Sequence, residues 1–108
     1  MVINVLGQEY EIQFKNGKDF PKLELLQAHG IAELYDKKLI IDAEMNSKTG
    51  KEFDNFKEFE NKVVRHEIVH AFFHEAGLRD YCEDETLVDW LALQIPKISK
   101  VMQEHNLL

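Results

Sequence analysis

The apolar positions of this chain fall into two regimes, a period near two in the N-terminal part and a period between three and four thereafter. Val2 to Leu6 and Glu9 to Phe14 are short runs rich in β-forming residues on either side of Gly7-Gln8, which predicts a hairpin, and Asn16-Gly17 marks the next turn. Asp19 then offers an N-cap for a short helix whose Phe20, Leu23 and Leu26, with Leu25 at the margin, face inward until Gly30. Ile31 to Tyr35 and Lys38 to Ala43 flank Asp36-Lys37 as a second hairpin. The strand from Lys38 is open to two readings. It can be an edge along which an extended peptide pairs, or, because Leu39-Ile40-Ile41 is a continuous apolar run, a strand covered on both sides.

The helical regime begins with Phe53, Phe56 and Phe59, spaced by three, with Asp54 or Thr49 as possible caps, and Val63, Val64, Ile68 and Phe72 continue the buried side. This aromatic stripe is core material and no cofactor box. Gly77 is the first helix stop. Glu83 to Ile95 forms a second helix, which Pro96 should kink or restart before Ile98, Val101 and Met102 complete the packing. The pattern predicts one α+β domain over residues 1–108, with N-terminal antiparallel hairpins packed on a long helix and a C-terminal helix.

Composition narrows the class without naming the chemistry. A chain of 108 residues buries one core and hardly a second. No apolar run approaches the roughly 20 residues of a membrane span, and Met1-Val-Ile-Asn-Val-Leu lacks the basic start of a secretory signal. The lone Cys82 excludes an internal disulfide framework and fits a reducing, cytoplasmic compartment. A net charge of -7, with 13 basic residues scattered among 20 acids, argues against a nucleic-acid surface, and Lys37-Lys38, Lys48 and Lys51 read as turn decoration.

The chemistry lies in His66-Glu67-Ile68-Val69-His70, two histidines at i and i+4 with a glutamate after the first. Chance supplies the pattern only about 0.03 times in a chain of this composition. On a helix the two imidazoles stand about 40° apart around the axis and about 6 Å apart along it, so both reach one zinc ion. Glu67, about 100° around from His66, is left free as the general base that accepts a proton from water activated by the metal.

A catalytic zinc site needs a third protein ligand. His74 lies on the same face, but about 12 Å of helix rise separates it from His66, so it is expected to be a wall of the site or a residue that supports a ligand, not a ligand itself. The stronger candidate is Glu85, which opens the second helix in Cys82-Glu83-Asp84-Glu85, with Glu83 as its competitor. Asp89, one turn after Glu85, can accept the free N–H of a ligating histidine and fix its orientation. His74, Arg79 and Tyr81 are near enough in sequence to be donors to a developing oxyanion or to line a substrate site.

His66-Glu-Ile-Val-His70, followed by Glu85-Thr-Leu-Val-Asp89-Trp-Leu-Ala92 and Gln94-Ile95-Pro96, resembles the small phage-associated branch of the ImmA/IrrE-type metallopeptidases, which belong to the gluzincins. The likeness covers roughly residues 60–100, and Val88 and Leu91 stand where that family usually has alanine and phenylalanine. It implies a small zincin-like fold, one zinc ion held by His66, His70 and Glu85, Glu67 as general base, Asp89 behind a ligand, and a peptide or protein substrate. No DNA-binding or sensory domain accompanies the motif, so the regulatory roles of larger relatives do not carry over. A reading from another class is a zinc-stabilised binding or assembly module of phage or mobile-element origin without significant hydrolytic activity. Oligomeric state is not legible in the residues.

Overall fold

The computed structural model of the chain describes residues 1–45 and 55–108. The expected roles of Thr49, Phe53 and Asp54, and of Lys48 and Lys51, lie outside the described residues. Strands β1 (Val2–Val5) and β2 (Gln8–Lys15) form the first hairpin, with Val5 opposite Gln8. Its turn is Leu6-Gly7, one residue earlier than the sequence suggested, with φ of 50° and 91°. Positive φ at both central residues gives a twist that matches the strands, and the Gly7 N–H donates to Asn4 Oδ1 at 2.9 Å.

Asn16, not Asp19, organises the next turn: its Oδ1 accepts from the N–H groups of Lys18 and Asp19, both at 3.0 Å. The short helix α1 (Lys22–Leu25) starts after Pro21 with no side-chain cap, so Asp19 does not serve as one. Leu23 is buried, but Leu25 and Leu26 are largely exposed, against the expectation that they face inward. One turn of helix presents a single inward position, and Leu23 takes it.

β3 (Gly30–Glu33) and β4 (Lys38–Asp42) pair antiparallel, as the second hairpin predicts. The sheet order is β1-β2-β4-β3, and β2 runs parallel to β4, with Ile12 opposite Leu39 and Phe14 opposite Ile41. Two expectations are corrected by this. The sheet is mixed, not a set of antiparallel hairpins, and β4 is internal, so it cannot be the edge that receives a peptide; among the described residues the edges are β1 and β3. The reason is burial. Leu39, Ile40 and Ile41 are all at most 1% exposed, which a strand with an open flank does not achieve.

The long helix α2 (Phe56–Glu75) starts at Asn55, whose Oδ1 accepts from the Glu58 N–H. Val63 and Ala71 join Val5, Tyr10, Ile12, Leu39 and Ile41 in the core, with Phe56, Phe59, Val64 and Ile68 against its margin. Phe72, expected inside, is 41% exposed. Gly77 ends the segment in the left-handed region at φ 74°, as its position predicts. A one-turn helix α3 (Arg79–Cys82) leads to α4 (Glu85–Glu104), capped by Asp84 through the Leu87 N–H at 3.0 Å, so the helix begins two residues later than expected.

Pro96 does not restart α4, which runs through it to Glu104. Proline has no N–H for the carbonyl four residues earlier, and that carbonyl, of Ala92, instead accepts from Arg65 Nε on α2 at 2.7 Å. Ile98, Val101 and Met102 do not complete the packing but are 40–57% exposed. Among the described residues the chain is thus a compact α+β domain with a four-stranded mixed sheet and four helices, and no helix is long and apolar enough to cross a membrane.

Candidate metal centre

The helical period that seats Val63 and Ala71 in the core sets the other side chains of α2. His66 and His70 fall toward α4, and Glu67 falls toward β3, where it is only 6% exposed. The first turn of α4 carries Glu85 to the two rings. His66 Nε2 lies 2.9 Å from Glu85 Oε2, and His70 Nε2 lies 2.9 Å from Glu85 Oε1. The ligating atoms of these three residues are all within 4.8 Å of one another, and they form the group capable of holding a metal found among the described residues.

The opposite nitrogens decide what the site wants. His70 Nδ1 is 2.7 Å from the Cys82 carbonyl, which can only accept, so Nδ1 carries the hydrogen and Nε2 of the neutral ring is bare. His66 Nδ1 is 3.2 Å from Asp89 Oδ1. The Lys62 ammonium, bonded to the same carboxylate, holds the Asp89 carboxyl below its ordinary range, with His66 adding to the effect. An ionised Asp89 likewise only accepts, so His66 also presents a bare Nε2. Two nitrogen lone pairs therefore face carboxylate oxygens at hydrogen-bond distance. A proton on each ring, or one shared cation, resolves that conflict. Two imidazoles with fixed tautomers and one carboxylate are a donor set that suits zinc, so the residues fit the ion.

Glu67 is pushed up to about 8, first by burial and then by the charge of Glu85, with Lys62 opposing. It lies against Gly30 of β3, where a Cβ would stand 2.9 Å from Glu67 Oε2. A cleft of about 400 Å³ opens beside Glu67 and His70 toward β3, and a smaller one of about 180 Å³ lies on the other side, bounded by His29, Lys62, His66 and Asp89.

The three residues considered as oxyanion donors line neither cleft. His74 sits one turn beyond His70 with its ring edge-on to Tyr35. Arg79 is exposed and paired with Glu83 at 3.0 Å. Tyr81 is half-exposed beside Phe73. Glu83 lines the larger cleft but is not part of the ligand group. Sequence reasoning missed Lys62, Gly30 and the Cys82 carbonyl. Lys62, one turn before His66 on the same face, left a readable signal; a backbone carbonyl left none.

Searches against protein-family models, curated proteins and solved structures give no match.

Proposed function

We propose that this chain is a zinc-dependent metallohydrolase, a cytoplasmic peptidase of the ImmA/IrrE type with a zincin-like fold, acting on a peptide or protein substrate. The observation that carries this reading is the convergence of His66 Nε2 and His70 Nε2 on Glu85 while Asp89 and the Cys82 carbonyl hold the opposite nitrogens. When bound, zinc supplies Lewis-acid chemistry: it activates water near neutral pH and polarises a carbonyl oxygen.

The remaining steps belong to side chains of this chain. Glu67 is not part of the ligand group, and it lines the clefts on both sides of the site. It takes a proton from the attacking water and delivers it to the leaving amine. Burial favours the protonated form of Glu67, the form that delivers the proton to the leaving amine. Lys62 and Asp89 hold His66, and the Cys82 carbonyl holds His70, so neither ring has to reorient. An extended substrate pairs along the edge strand β3, which passes Glu67 at Gly30.

A second reading, a zinc-stabilised binding module, is favoured by an apolar groove of about 470 Å³ between α2 and α4, lined by Ile68, Phe72, Phe73, Leu91 and Ile95. The two readings separate in one experiment. Zinc-loaded wild type and Glu67→Gln are screened against peptide and protein substrates. The hydrolase reading expects cleavage by wild type and a loss of at least about 10²-fold in the variant at equal zinc content. Equal activity in both sinks it, and absence of cleavage together with capture of a protein partner by both forms supports the module.

A further inference from the structure

The cleft beside Glu67 has two unlike walls. On one side stand Leu26, Ala28, Ile31 and Leu34, from the end of α1, the connection after it, and the β3 hairpin. On the other stand Cys82, whose buried thiol donates to the His70 carbonyl at 3.3 Å, and the exposed acids Glu83 and Glu85. Leu26 is 64% exposed, an apolar side chain that the fold leaves at the cleft mouth instead of using in the core.

We propose that this basin selects the substrate: a peptide with a bulky aliphatic side chain beside the scissile bond, and without an acidic residue there. The proposal rests on the metallopeptidase reading for the position of the scissile bond. Its own basis is the lining. A volume of about 400 Å³ is at the small end for ligand sites. It admits one large side chain and the adjoining backbone. An aliphatic side chain removes the faces of Ile31, Leu34 and Leu26 from water, which an alanine cannot do to the same extent. Glu83, exposed on that wall in a chain of net charge -7, repels a carboxylate at the same place. The isolated thiol of Cys82 is turned away into a hydrogen bond with the His70 carbonyl and adds no polar demand. The position of Leu26 also has a use on this account. The left-handed Gln27 that follows it, at φ 49°, turns the chain back into β3 and holds Leu26 at the rim.

The test uses zinc-loaded Glu67→Gln, which binds without turnover, and blocked heptapeptides that differ only in a central Leu, Ala, Lys or Asp. Affinity is read by calorimetry, and the methyl NMR signals of Ile31 and Leu34 report where the side chain goes. The Leu peptide should bind at least about 10-fold more tightly than the Ala peptide, shift both sets of methyl signals, and exceed the Asp peptide by more. In a Leu26→Asp background, a surface change whose folding is checked by zinc content and circular dichroism, the preference for Leu should shrink to within about 3-fold. Equal affinities, a preference unmoved by Leu26→Asp, or no binding of any peptide overturns the proposal. Cleavage by wild type without regard to the central residue overturns it while leaving the metallopeptidase standing. Preferential binding of the Leu peptide that wild type does not cleave does the reverse.

Discussion

The ring nitrogens of His66 and His70 determine the order in which substitutions should do damage. Wild type should purify with or take up close to one zinc per chain, and His66→Ala or His70→Ala should abolish tight binding, since each removes a first ligand from a set of three. Glu85→Gln should weaken affinity severely, whereas Asp89→Asn, acting only through His66 Nδ1, should cost about 10–100-fold. Competition with a zinc chelator measures the order, and greater damage from Glu83→Gln would refute the ligand assignment. Glu67 gives a pH-dependent prediction. Its folded pKa of about 8 lies above the ordinary 4.5, so between those values the folded chain keeps a proton that the unfolded chain has lost. Stability of chelator-stripped protein therefore falls as pH rises through that window. At about 1.4 kcal/mol per pKa unit, discounted for residual solvent, wild type should lose on the order of 3 kcal/mol relative to Glu67→Gln between pH 5 and pH 9. Urea melts at both pH values with parallel changes in the two proteins would contradict this.

Helices and strands meet at two places where one residue settles the fit. At the first, β3 approaches α2 so closely that Gly30 has room only for hydrogen, because the added methyl of an alanine would come within 2.9 Å of the end of the Glu67 side chain. The clash is with a side chain and not with backbone, so Gly30→Ala should fold and bind zinc normally while displacing the carboxylate. A loss of 10-fold or more in hydrolysis at unchanged zinc affinity is expected, given that misplacement by about 1 Å can cost about 10². An equally active variant would show that Glu67 does not work from this position. At the second, Arg65 stands in for the N–H that Pro96 lacks. Arg65→Leu leaves the Ala92 carbonyl unsatisfied and should cost about 1–3 kcal/mol, and Pro96→Ala, which restores a helical donor, should remove most of that cost. A denaturation cycle of the two single variants and the double variant decides it, since additive effects would rule out the substitution of one donor for the other.

At the scale of the molecule, the ligands come from two helices. His66 and His70 belong to α2 and Glu85 to α4, so an ion bound by all three adds a tie between elements already joined by the Arg65 bond to the Ala92 carbonyl and by the contacts of Lys62 and His66 with Asp89. Binding to the folded chain alone should stabilise it by about 2.7 kcal/mol at a free zinc concentration 100 times Kd. Scanning calorimetry with zinc and with a chelator should show this as a rise in Tm of several degrees. Glu85→Gln, which removes the α4 end of the tie, should lose most of the rise. If the variant keeps the whole effect, zinc is held within α2 and does not join the helices.

Local rules made part of this protein legible in its residues. The helical period alone puts His66 and His70 on one face and Glu67 beside them, because spacing along a helix is a property of covalent geometry. Glu85 and Asp89 were legible for the same reason once Gly77 was recognised as the break between helices. The hairpins were legible because their turns lie within a few residues of the strands they join. What only the tertiary structure decided is non-local. The parallel pairing of β2 with β4 joins strands separated by α1 and β3, and no short-range preference encodes it. That pairing buries β4, leaves β3 as an edge among the described residues, and so brings Gly30 against Glu67. The partner of His70 is a main-chain carbonyl, a group every residue possesses, so its identity as Cys82 depends on where α3 is packed. Leu26 and Phe72 came out exposed because hydrophobicity states a preference for burial but not the number of places available, and the small core had already been filled.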